Sequence, residues 1–295
     1  MHRTAAGLLL LLALACNVTA LFLPFVHVGI GLSGHDYSLL HTVDLLWSYG
    51  FPVLAIVVCG FSVVFPFAKL GILGGVYLGQ LPSHWATTVG ALGKWSMLDL
   101  FLVVLLIVVA YDRLLVSAEV QPGLPCFAFA VLCAMAAGEL LHPPEPHDEA
   151  RRRGTHSRVL LVIATLGTAL ALTMPLFTTD AWFLADHEYS IIGMVGLLAK
   201  SHALIPALIT LLFLIIAPLL RLGCLVLSAR LGGPWADRAA AIGRWAMLEP
   251  FALAVAIFMI EGRSQIPTTL LQGSIVLILA ILGSSVAGWF LVRPR

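Results

Sequence analysis

Four charged side chains stand where an apolar sequence makes charge costly: Lys69 and Arg221 lie within long aliphatic runs, and Asp99 and Glu249 open others. Near the centre of a bilayer such a charge costs at least ~2.5–3.5 kcal/mol, so it is expected to pair, to relay a proton or to meet a polar cargo. Each base follows a proline by three residues, Pro66 and Pro218, and each acid follows a tryptophan by four, Trp95 and Trp245. The prolines remove a backbone hydrogen bond and are expected to kink their helices just before the base. The tryptophans read as interfacial anchors. If the helices that carry base and acid are antiparallel neighbours, Lys69 meets Asp99 and Arg221 meets Glu249. Two buried ion pairs are therefore expected. They either lock neighbouring helices together or line a substrate path, for which all four residues are the candidates.

The elements that hold these residues follow from composition. Of 295 residues 60% are hydrophobic and only 11% charged, and the mean hydropathy is +1.02, whereas a soluble domain carries about a quarter charged residues. Eight apolar runs are legible, roughly Ala5–Val26, Phe51–Leu78, Trp95–Leu115, Leu124–Leu141, Val159–Phe177, Ala203–Ala229, Trp245–Ile260 and Thr269–Val292. Each is expected to be a helix. About 20 residues at ~1.5 Å per residue span the hydrocarbon core, and lipid tolerates only a backbone that satisfies its own hydrogen bonds. The expected fold is an all-α polytopic membrane protein.

The runs repeat. His35-Asp36-Tyr37-Ser38 recurs as His187-Glu188-Tyr189-Ser190, and the segment Pro66 to Gly71 as Pro218 to Gly223. Gly93-Lys94-Trp95-Ser96-Met97-Leu98-Asp99 recurs as Gly243-Arg244-Trp245-Ala246-Met247-Leu248-Glu249. Such internal similarity outranks any local motif. It predicts two four-helix modules, 1–141 and 159–295, joined by a polar linker over 142–158. An even number of crossings makes them parallel repeats. The first run, with Arg3 ahead of a leucine stretch and Cys16, imitates a signal peptide. Its counterpart ending at Pro175 stands in mid-chain, so the first helix is expected to be retained.

Lys and Arg near helix ends stay on the cytoplasmic side during insertion. Placing both termini in the cytoplasm puts Arg3, Lys69, Lys94, Arg151, Arg152, Arg153, Arg158, Arg221, Arg230, Arg238, Arg244, Arg293 and Arg295 inside and leaves Arg113, Lys200 and Arg263 outside. The outer segments Val26–Gly50 and Thr178–His202 interleave Tyr, Ile, Leu, Val and Trp with Gly and His, which suits small ordered caps built from short strands or a surface helix.

Other chemistries find little support. The charges are dispersed and the net charge is +1, so nucleic acid is not an expected partner. No HExxH, phosphate-binding lysine loop or GxSxG elbow occurs, and no enzyme activity or cofactor is expected. A lipid-active interfacial enzyme would have to use His35, Asp36, His187 and Glu188. His142, Glu145, His147 and Asp148 in the linker lack a metal-specifying spacing. Cys16, Cys59, Cys126, Cys133 and Cys224 form no CxxC pair and read as small apolar residues, without an expected disulfide.

Lys94-Trp95-Ser96-Met97-Leu98-Asp99-Leu100-Phe101 resembles the signature of the paraquat-inducible protein A family of bacterial inner-membrane proteins. Arg244-Trp245-Ala246-Met247-Leu248-Glu249-Pro250-Phe251 fits it more loosely. Trp95, Ser96, Met97 and Asp99, with Trp245, Met247 and Glu249, are the motif positions. The resemblance implies tandem four-helix modules and a location in the inner membrane. It also implies work with periplasmic MCE-type proteins in moving phospholipids between bacterial membranes, a task of envelope maintenance. Membrane lipids would then be the cargo, and Lys69, Asp99, Arg221 and Glu249 the polar floor of its path. The cysteine-rich zinc ribbons carried by many members have no counterpart here. A non-transporting scaffold or envelope-stress factor is the alternative.

Overall fold

The computed structural model describes residues 2–30, 33–50, 52–111, 116–141, 155–181, 184–231, 235–262 and 268–292. The chain is mostly helical and divides into two compact units, Met1–Pro144 and Glu145–Arg295. Positions 142–154 of the expected linker lie outside the described residues, together with its four His and acid positions.

In the first unit α1 (His2–Phe22) leads into β1 (Pro24–Ile30), β2 (Ser33–Ser38) and the short helix α2 (Leu39–Ser48). The next crossing runs from α3 (Pro52–Val58) through a π-helical turn, Cys59–Val64, into α4 (Phe65–Tyr77). The third combines α5 (His84–Leu92), a 3-10 turn over Gly93–Met97 and α6 (Leu98–Tyr111), after which β3 (Val116–Val120) precedes α7 (Gly123–Leu141). Apart from Asp99 in its first turn, the sequence of α6 is apolar all round. Accordingly Leu98, Leu100, Phe101, Val104, Leu105, Ile107 and Val108 are all buried, as in a helix enclosed by others.

The second unit has the same element order: α8 (Thr155–Thr173), β4 (Phe177–Ala181), β5 (Leu184–Tyr189) and α9 (Ile191–Lys200). Then come α10 (Leu204–Thr210), a π-helical turn over Leu211–Ile216 and α11 (Ala217–Leu231). The chain continues through α12 (Trp235–Trp245), α13 (Leu248–Gly262), β6 (Thr268–Leu270) and α14 (Gln272–Val292).

Among the described residues six helices are long and apolar enough to cross a membrane: Arg3–Phe22, Ala55–Tyr77, His84–Tyr111, Gly123–Leu141, Leu204–Ser228 and Trp235–Ile260. The fifth and eighth expected runs fall on α8 and α14, whose apolar stretches are shorter, Leu161–Thr173 and Gln272–Val286. Both expose a stripe of large side chains at helical spacing, Val159, Ile163, Leu166 and Leu170 on one and Ile275, Ile278, Leu282 and Val286 on the other. Such stripes are unstable against water and natural against lipid. The protein is a multi-pass membrane protein.

Each unit is closed at one end by a three-stranded antiparallel sheet, in the order β2-β1-β3 and β5-β4-β6. The hairpins agree with the expected caps. The third strands β3 and β6 do not follow from the alternation in the caps, because they enter from the far end of each unit. Ser38 and Ser190 cap the helices that follow, accepting from the amides of His41 and Gly193. Gly123 and Gly273 start the fourth helices directly against the carbonyls of Pro24 and Pro175, where a Cβ would collide. This contact sets the sheet firmly on the helix ends.

Candidate functional site: a polar crossing of helices

Both π-helical turns end at the residue before a proline-containing turn, and the reason is local. An α-helix would offer the proline position an acceptor, but proline has no N–H to give. The amides just ahead bond back five residues instead of four, Phe65 to the Gly60 carbonyl and Ala217 to that of Leu212. The helix thus takes up Pro66 and Pro218 by widening upstream of each. The next carbonyls in this register, Phe61 and Phe213, face a proline with no hydrogen to donate. In the second unit the Phe213 carbonyl accepts from the Met247 amide at 3.1 Å, across to the third crossing. That amide is available because α12 ends at Trp245 and α13 begins at Leu248. Proline in one helix and a break in the next therefore satisfy one another.

Side chains reinforce the crossing. Phe61 lies against Trp95 with ring centroids 6.5 Å apart, and Phe213 stacks on Trp245 at 6.0 Å. The tryptophans are half-buried partners of the π-turns, a role more specific than interfacial anchoring. Met97 and Met247 are fully buried beneath them.

Lys69 is 2% exposed and Asp99 5%. Neither the Lys69 Nζ nor either carboxylate oxygen of Asp99 has a hydrogen-bond partner, and the buried Ser96 hydroxyl is likewise unpartnered. The expected Lys69–Asp99 ion pair is not formed. The amine is packed against Gly93, 2.8 Å from where a Cβ would stand. Gly93 precedes Asp99 by six residues, mostly 3-10 turn, which carries the acid roughly 10 Å further along the helix. Connectivity alone put them at one depth.

Arg221 is held differently. Its side chain lies against Gly243, with Nε 3.0 Å from the Cβ position, and Nη2 donates to the Ser284 carbonyl at 3.5 Å. Arg221 and Glu249 line one small cavity with Thr168, Pro218, Ala246 and Ser284. Its volume is ≈ 10 Å³, about one water molecule. The predicted partners are thus brought together in this unit, and not in the other.

Thr168 and Ser284 were missed by sequence reasoning, as was Asn17, which stands seven residues before Pro24 as Thr168 stands before Pro175. Asn17 is buried and its amide donates to the Ala13 carbonyl at 3.0 Å. A lone amide inside a leucine run was the available signal. Gly93 and Gly243 recur within the repeated motif, and that recurrence marks them as seats for the basic side chains.

The other polar residues lie on the sheets. His27 stands opposite Asp36 on one side and Glu119 on the other, and its Nδ1 is 2.7 Å from Asp36 Oδ1. In the second sheet Thr178 faces Glu188 and Thr269, with a hydroxyl to hydroxyl hydrogen bond of 2.6 Å. Of the four residues a lipid-active enzyme would need, Asp36 is thus engaged by His27. Among the described residues no group of three or more His, Cys, Asp or Glu side chains could hold a metal ion.

No curated protein and no solved structure matches the chain. The sequence profile described as Paraquat-inducible protein A matches residues 2–150. That stretch holds the first unit from its second residue on, with Pro66, Lys69, the Gly93–Asp99 motif and the sheet that caps it. By this match over half its length, the chain belongs to the paraquat-inducible protein A family.

Proposed function

We propose that the protein is an inner-membrane component of a phospholipid transport system between bacterial membranes, working with a periplasmic MCE-type partner. In this reading the two units are tandem four-helix modules over 1–141 and 159–295, making eight crossings. A cytoplasmic linker over 142–158 joins them, both termini are cytoplasmic, and the sheets face the periplasm. The protein itself catalyses no reaction. The observation that carries the reading is the polar crossing repeated in both units. Lys69, Ser96 and Asp99, which lack partners, in one unit and Thr168, Arg221, Glu249 and Ser284 around a cavity in the other are polar groups kept at membrane depth, where an unsatisfied group is costly. A polar headgroup passing between the helices would supply the partners that Lys69 and Asp99 lack.

A second reading, a non-transporting scaffold, is favoured by the size of the cavity beside Arg221, which is that of a water and not of a lipid. Native mass spectrometry of protein gently extracted from its own membranes separates the two. The transport reading expects bound phospholipid that falls in the Asp99→Asn/Glu249→Gln variant, together with a co-purifying periplasmic chain. Lipid-free protein with an unchanged variant would favour the scaffold.

A further inference from the structure

The first unit carries a thiol pair that its charged crossing does not use. Cys16 lies in α1 and Cys126 in the first turn of α7, 110 residues apart in sequence. The Cys126 thiol donates to the Cys16 carbonyl at 3.4 Å. Both residues are half-buried.

The helices that carry them are unusually close for a reason visible in their sequences. Ala6, Ala13 and Ala20 recur every seven residues along one face of α1 and are all fully buried. Ala13 packs in one cluster with Cys133, Ala134 and Ala137 of α7. Small residues on both sides let helix backbones approach closely. A disulfide needs Cα atoms about 4.4–6.8 Å apart, which ordinary helix pairs with large side chains do not offer. Close alanine packing and a thiol touching the opposite backbone are independent observations, and both bring the two backbones toward that range.

We propose that Cys16 and Cys126 form a redox-active dithiol, which a disulfide oxidant converts into a reversible cross-link between α1 and α7. The chemistry is thiol–disulfide exchange. The Cys126 thiolate, its proton released to water, attacks one sulfur of the oxidant and expels one oxidant thiolate, giving a mixed disulfide. The Cys16 thiolate then attacks the Cys126 sulfur and expels the second oxidant thiol. Two protein thiols lose two protons and two electrons, and the oxidant disulfide gains them as two thiols. Spacing rules look for cysteines near one another in sequence, and so pass over a pair that only the helix packing brings together.

The device belongs to the first unit alone. The matching places in the second unit are Gly167 and Val276, and there Gly167 and Gly283 fill the contact by lying against Ala280 and Ala164. Cys133, further along α7 and buried, is the built-in competitor. The proposal stands apart from the lipid-transport reading, and its test does not depend on cargo or partner.

The test uses the full chain in its native membranes, oxidised with 4,4′-dithiodipyridine, blocked with a maleimide, digested and analysed by mass spectrometry with and without reductant. The expected result is loss of maleimide reactivity at both Cys16 and Cys126, with a reductant-sensitive peptide pair joining them. In Cys16→Ser, Cys126 should instead hold the thiopyridyl adduct, because the resolving thiol is gone. Wild-type protein in which Cys16 and Cys126 each retain a thiopyridyl adduct or a maleimide would overturn the proposal. So would a cross-link that joins Cys16 to Cys133.

Discussion

Lys69→Met removes an ammonium that has no acceptor within the protein, and Asp99→Asn removes a carboxylate with no donor. Because the two do not touch, their effects on thermal stability in detergent should add to within about 0.5 kcal/mol, as expected for separated sites. A direct ion pair would appear in that double-mutant cycle as a coupling energy well beyond this margin, with either single variant worse than the double. The glycines give a second comparison. In Gly93→Ala the new methyl meets the tip of a flexible lysine, which can move. In Gly123→Ala it meets the Pro24 and Leu23 carbonyls, held by the sheet. Gly123→Ala should therefore be the more damaging, by about 1–3 kcal/mol, read as the difference in unfolding temperature between the two variants. At this scale the sequence made residue types legible and depths much less so. Pro66, Lys69 and Asp99 stand out in apolar runs. That the lysine seats on Gly93, nearly two turns short of the acid, depends on a 3-10 stretch that hydrophobic periodicity does not encode.

Among the elements, the proline-induced π-turn and the helix break facing it act as one joint. Pro218→Ala would restore an N–H that can take the Phe213 carbonyl within its own helix, in competition with the Met247 amide. A net worth of about 1 kcal/mol for that hydrogen bond translates into roughly fivefold faster exchange at Met247. Hydrogen–deuterium exchange of the peptide over 246–251 measures this directly, and unchanged protection would show that the joint does not depend on the proline. The long helices and both hairpins were readable from apolar length and from alternation in the caps. The strands Val116–Val120 and Thr268–Leu270 were not. They are five and three residues long, and they are strands only because β1 and β4 offer them an edge. The π-turns were equally hidden, since a proline in a membrane helix predicts disturbance without saying which form it takes.

At the scale of the molecule, the balance of Lys and Arg predicts opposite sides for Thr42 and Glu149. A reporter active only in the cytoplasm should work when fused at Glu149 and fail at Thr42; the reverse pattern would invert the whole topology. The division into units at Pro144 and Glu145 predicts that residues 1–144 and 145–295, expressed separately, each accumulate as membrane-inserted protein, which fractionation and protease protection would detect. The division into two units with one element order was legible because Pro, Trp, Met and an acid recur in order, while the closure of each unit was not. That closure bears on how the protein is made. β1 is the middle strand of its sheet, yet its second neighbour is translated only after two further crossings. At ~5–20 residues per second, the delay between Val26 and Val120 is roughly 5–20 seconds. Through that interval the nascent chain carries a bare strand edge on the membrane surface, the kind of edge that recruits wrong partners. Arrival of β3 covers it, and does so only if the intervening helices have inserted with the correct polarity. Completion of the sheet therefore reports on biogenesis: a chain stalled or inverted before β3 keeps the second edge of β1 open.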